Sequence, residues 1–158
     1  MSLAESEKQK GLFSKILVAI DGSKQSMDAA YYAINVSNKF NAQFYAIHVV
    51  KDPFSFGIYD IETRSHRKSS LEHISQKAKE WFDEIKVKAN ERNIQLSKAE
   101  LIGTSTSIEG AIVDYAEKND IDLIVLGTRG YSSIKKLLLG SVASSVLTYA
   151  HCPVMVIR

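Results

Sequence analysis

The chain predicts an α/β fold on one parallel sheet, doubly wound, with helices on both faces. Two observations carry this. Five short apolar runs alternate with longer helical patterns, giving β-α-β-α-β-α-β-α-β. Two of those runs, ILVAI and LIVL, are apolar throughout, as strands covered on both faces must be.

The first strand is KILVAI (15–20), rich in β-branched residues. Ser26 caps the helix that follows, which runs to about Lys39 with Ala30, Ala33 and Ile34 near one face. QFYAIHVV (43–50) is the second strand. After it comes the one long irregular stretch, KDPFSFGIYDIETRSHRK (51–68), and a connection that long in a compact domain is usually functional or mobile. Ser69 and Glu72 form a capping box for the second helix, which carries Leu71, Ile74, Ala78, Trp81, Phe82, Ile85 and Ala89 at 3–4 spacing. The third strand, LSKAELI (96–102), is interrupted by Lys98 and Glu100, which suits a sheet edge. Thr106 and Glu109 form a second capping box, followed by Ile108, Ala111, Ile112 and Tyr115. DLIVLG (122–127) is the fourth strand. The last helix carries Val142, Ala143, Val146, Leu147 and Ala150, and VMVI (154–157) closes the sheet.

Composition narrows the function classes. The 158 residues suffice for one domain with a substantial core, and residues 1–12 are expected to be a flexible tail. A net charge of +2 leaves no basic footprint for nucleic acid. No apolar run approaches the ~20 residues that span a bilayer. The polar start MSLAESEKQKG lacks the apolar centre of a signal peptide, and the single Cys152 excludes an internal disulfide or a cysteine zinc site. A cytoplasmic protein is the expectation.

In open α/β sheets, ligands bind beyond the carboxyl ends of the strands where the strand order reverses. The first strand is followed by Asp21-Gly22-Ser23, the third by Gly103-Thr104-Ser105, and the fourth by GTRGYSSIKKLLLGS (127–141). In that last stretch, Gly127 and Gly130 allow tight turns and close approach to a ligand. Gly140 and Ser141 stand where the last helix begins, and free amides at a helix start attract anions. Arg129, Lys135 and Lys136 lie in the same loop. A phosphate chain is the natural ligand, with a nucleoside near Asp21 and Val49. Glycines at strand-to-helix turns also serve purely structural ends, and both GxxxxGK[ST] and GxGxxG are absent, so the residues alone leave the two readings open.

The stretch resembles the G-x2-G-x9-G-[ST] motif of ATP-binding universal stress proteins, in register at Gly127, Gly130, Gly140 and Ser141. KILVAIDGS, AIHVV, DLIVLGTRG and HCPVMVIR resemble that family's first, second, fourth and fifth strands with their flanks, so the similarity covers residues 13–158. The resemblance implies a five-stranded parallel sheet in order 3-2-1-4-5. It implies that Ala19, Asp21 and Val49 surround adenine and ribose. It implies that Leu126, Gly127, Arg129, Gly130, Gly140, Ser141, Val142 and Ala143 line the ribose and phosphates. The position of Arg129 varies in type within the family, and nothing carries over to 51–68. A triphosphate bears more charge than the loop neutralises, so Mg²⁺ or Mn²⁺ is expected with ATP.

Other chemical residues carry less. His151 and Cys152 are adjacent but without an orienting acid, and Cys152 reads as a packed cysteine. His48 reads as a satisfied histidine within its strand, and His66 and His73 lack a third metal ligand. Asp122 opens its strand at the end away from the ligand, and Trp81 and Phe82 read as core. The favoured function is an adenine-nucleotide-binding regulatory or stress-response module with at most slow turnover and no assigned catalytic residue. An ATPase or phosphotransfer enzyme, which needs a positioned base and a metal clamp, and a dimeric scaffold with an empty site are the alternatives. The uncharged edge run Val154, Met155, Val156 and Ile157 predicts a homodimer through the last strand, as the family resemblance also implies.

Overall fold

The computed structural model describes residues 11–52, 61–128 and 139–158, with the side chains of 61–68 left aside. The sheet has five strands: β1 (Lys15–Ala19), β2 (Gln43–Lys51), β3 (Leu96–Thr104), β4 (Leu123–Gly127) and β5 (Val154–Ile157). The helices are α1 (Lys24–Phe40), α2 (Ile61–Glu91), α3 (Ile108–Lys118) and α4 (Ser141–Tyr149). The strand order is β3-β2-β1-β4-β5, and every pairing is parallel. This is the expected architecture.

Alternation along the central strands sorts side chains into two cores. Ile16, Val18, Phe44, Ala46, Leu123 and Val125 point to one face, where Ala30, Ala33 and Ile34 of α1 and Ile85 and Ala89 of α2 cover them. Leu17, Tyr45, Ile47, Ile124 and Leu126 point to the other face, under Ile112 and Ala116 of α3 and Ala143 and Val146 of α4. The edge strand β3 is mostly exposed at Ser97, Lys98, Ala99, Glu100 and Leu101, and its register shifts against β2 beside Phe44 and Tyr45.

Three helix starts differ from the expected ones. Ser23, not Ser26, caps α1: its hydroxyl accepts from the Ser26 amide at 3.2 Å. Ser107, not Thr106, caps α3, accepting from the Gly110 amide at 3.0 Å. Thr106 instead bonds back to Thr104, its amide 3.3 Å from the Thr104 hydroxyl. Both serines were competing with a hydroxyl three residues or one residue away, and spacing alone does not choose between them. Ser69 caps nothing, because α2 already begins at Ile61. The connection before α2 is correspondingly shorter than 51–68.

Candidate functional site at the β1–β4 switch point

The chain leaves β1 toward β2 on one side and leaves β4 toward β5 on the other. Beyond the carboxyl ends of β1 and β4 the connections therefore part, and a crevice opens. Two helix starts face it from the turn after β1 and the loop after β4.

The turn after β1 is bonded at each residue. The Ile20 amide donates to Ile47 O at 2.9 Å, continuing the β1–β2 ladder one residue past the strand. The Asp21 amide donates to Ser26 Oγ at 3.2 Å, and Asp21 Oδ1 accepts from the Ser23 amide at 2.9 Å. Gly22 takes φ +79°, the left-handed conformation that favours glycine. Ser23 and Ser26 are buried, while Asp21 is half-buried. His48 is buried as well, and its Nδ1 donates to Ile20 O at 2.7 Å, so it is the satisfied histidine its sequence position implies.

The loop after β4 is closed at its base. The Thr128 amide donates to Ile157 O at 2.7 Å, and the Gly140 amide donates to Thr128 O at 2.6 Å. Residues twelve apart in sequence are thereby joined at the mouth of the crevice. Gly140 is the N-cap residue of α4, with φ −69° and ψ 160°, and among the described residues no side-chain hydrogen bond caps that helix. The first-turn amides of α4 thus lack the serine that serves α1 and α3. Arg129 and Gly130, together with Lys135 and Lys136, lie outside the described residues.

Of the residues expected at the site, the structure gathers five in one apolar cluster. Val49, Leu126 and Ala143 are buried there, and Ala19 and Val142 pack against them. Ile102, Ile108 and Leu139 pack on the same cluster and were not singled out from the sequence. Ile102 and Ile108 lie in apolar strand and helix runs and Leu139 in the loop; the parallel register sets Ile102 opposite Val49, and packing brings the start of α3 onto the same cluster. Gly127 has a local packing role that the sequence did not show. A Cβ there would stand 2.9 Å from the carbonyl carbon of Gln25, so its small size admits the first turn of α1.

The opposite end of the sheet is structural. Asp122 Oδ2 accepts from the amides of Ser14 and Lys15 at 2.8 and 2.9 Å and staples the start of β1 to β4. Burial, and then the Asp122 charge, raise the Cys152 thiol above its usual value, which disfavours the nucleophilic thiolate. His151 Nε2 donates to Ile121 O at 3.1 Å. Among the described residues no group of three or more His, Cys, Asp or Glu is placed to hold a metal. No helix among them is long and apolar enough to cross a membrane.

Strand order, parallel pairing and a loop pinched shut at the switch point define a doubly wound α/β protein of the Rossmann-like class. The profile of the universal stress protein family matches residues 12–158, and the chain belongs to that family. It is 35% identical over 150 residues to Universal stress protein MJ0531 of Methanocaldococcus jannaschii, covering 94% of this chain and 84% of that protein. The solved structure of Universal stress protein UspA from Lactobacillus plantarum superposes with a TM-score of 0.80 at 28% identity, covering 92% of this chain and 98% of that one. Two more distant solved structures share the fold. One is a universal stress protein from Archaeoglobus fulgidus in complex with dAMP, at TM-score 0.65 and 22% identity, covering 93% of this chain and 99% of that one. The other is a universal stress protein in complex with cAMP, at TM-score 0.64 and 20% identity, covering 92% and 97%.

Proposed function

We propose that this chain binds an adenine nucleotide, ATP with Mg²⁺ or Mn²⁺, in the β1–β4 crevice and acts as a regulatory stress-response module with at most slow turnover. The observation that carries the reading is the closed loop base. The Gly140–Thr128 bond delivers the start of α4, whose N-cap glycine offers no capping side chain, to the carboxyl end of β4. Amides in that setting suit phosphate oxygens. The motif spacing at Gly127, Gly130, Gly140 and Ser141 supports the same reading, as do the dAMP and cAMP bound by two relatives of the same fold.

In this reading the apolar cluster under Ala19 and Val49 receives the adenine, and Asp21 faces the ribose. Leu126, Gly127, Arg129, Gly130, Gly140, Ser141, Val142 and Ala143 enclose the ribose and phosphates. The metal is held chiefly by phosphate oxygens, with its charge offsetting theirs. We further propose a homodimer through the outer edge of β5.

Calorimetry tests the assignment. Gly130→Val is expected to abolish ATP binding while the far-ultraviolet dichroism stays that of the parent. A folded variant with parental affinity would exclude this site. Chelator is expected to weaken ATP markedly and AMP little; equal ATP affinity with and without chelator would remove the metal from the proposal.

A further inference from the structure

We propose that Trp81 is a positioning residue for the Asp21-Gly22-Ser23 turn, an inference that rests on the adenine-nucleotide reading above. Trp81 belongs to α2, which contributes none of the residues named for the site. Its indole nevertheless lies against the turn. A Cβ at Gly22 would stand 2.0 Å from Cζ2, 2.3 Å from Cε2 and 2.6 Å from Cη2 of that ring. Gly22 therefore meets two demands at once: it takes the left-handed φ, and it leaves the space the ring occupies.

The same ring meets His48 edge to face, with centroids 5.1 Å apart and planes at 88°. His48 in turn holds Ile20 O at 2.7 Å. Three elements thus grip consecutive residues of one turn. His48 of β2 holds Ile20, Ser26 of α1 holds the Asp21 amide, and Trp81 of α2 covers Gly22. Between these holds, Asp21 Oδ1 is fixed by the Ser23 amide, so the carboxylate has one orientation before any ligand arrives. A binding residue ordered in advance avoids the entropy of ordering it on binding. Removing the indole would uncover the most permissive residue in the turn, and the carboxylate next to it would lose its fixed aim. Trp81 acts on the nucleotide through Asp21 rather than by touching it.

The test uses the full chain and Mg-ATP. Trp81→Leu is expected to weaken binding about tenfold, the scale of ordering one such segment. Trp81→Phe keeps a ring over Gly22 and is expected to retain most of the affinity. In an Asp21→Ala background, Trp81→Leu is expected to cost nothing further, because both act through one carboxylate. Losses that multiply in the double variant, or parental affinity in Trp81→Leu, would overturn the proposal. Amide exchange of the nucleotide-free protein separates this proposal from the function it rests on. Trp81→Leu should deprotect the Ser23 amide while Ile16, Leu17 and Val18 stay protected. Unchanged Ser23 protection overturns the role of Trp81 whether or not ATP binds. If exchange behaves as expected and no chain binds ATP, the nucleotide reading alone fails. Should Trp81→Leu not fold, the parent suffices, because Trp81 is its single tryptophan. With ATP saturating by calorimetry, its emission maximum is expected to stay that of the free protein, because the turn is ordered before the ligand arrives, and a shifted maximum at saturation would overturn the proposal.

Discussion

Gly127 and Tyr115 show how single side chains set local limits. At Gly127 the crowding is from backbone: an added Cβ would meet the carbonyl carbon and oxygen of Gln25 at 2.9 and 3.0 Å. Neither atom can rotate away, so α1 itself must shift. Gly127→Ala is expected to cost about 1–3 kcal/mol, the usual range for overpacking, and thermal unfolding will measure it. An unchanged midpoint would show that α1 yields freely. Tyr115 donates its phenol proton to Glu100 Oε2, and burial, then that hydrogen bond and the carboxylate charge, push its ionisation well above the ordinary value. An ordinary phenol titrates near 10. Above that pH the unfolded chain has lost a proton that the folded chain keeps, so stability falls as pH rises. Tyr115→Phe is expected to lose stability less steeply between about pH 9 and about pH 11. Parallel pH profiles in urea unfolding would contradict the assignment.

At the scale of the element, one stop signal is used three times. Asn41, Asn93 and Asp120 take φ of 52°, 58° and 53° just after α1, α2 and α3. In each case the next amide returns to a carbonyl five residues back: Ala42 to Ser37 O, Ile94 to Ala89 O and Ile121 to Ala116 O, all at 2.9 Å. Those three next residues are buried, so each stop also turns the chain into the sheet. The starts are less uniform. Since Ser107 caps α3, Ser107→Ala is expected to cost about 1 kcal/mol, and Thr106→Ala distinctly less. Chemical denaturation of the two variants decides it, and a larger loss at Thr106 would restore the cap to that residue.

Across the whole molecule, the two cores are separated by the sheet, and its two edges are treated differently. β3 is long, bears Lys98 and Glu100, and is shifted in register beside Phe44. β5 has four apolar residues, all half-buried within the single chain. Charges and irregularity discourage strand addition, and β5 has neither along Val154–Ile157. Tyr149, 71% exposed, and Leu147, 45% exposed, stand on α4, which packs on β5. For the proposed dimer, Val156→Lys is expected to shift the protein from dimer to monomer in sedimentation with its dichroism retained. A parent that sediments as a monomer at micromolar concentration would sink the dimer.

The sequence by itself determined the fold class, the order of the elements and the edge character of β3, because those follow from short-range periodicity and from where charges interrupt it. It also marked the loop at 127–141, because glycine spacing is written in the chain. Tertiary structure alone decided which of several hydroxyls caps each helix, since Ser23 and Ser26, or Thr106 and Ser107, are chemically equivalent until the backbone path is set. It decided that Gly127 makes room for α1, a contact with Gln25 that no spacing encodes. It brought Ile102 opposite Val49 through parallel register and Ile108 onto the same cluster through helix packing. And it set Trp81, one apolar position on a helical stripe, against Gly22 fifty-nine residues earlier. Periodicity says which face of a helix turns inward; what that face meets depends on the packing of elements distant in the chain.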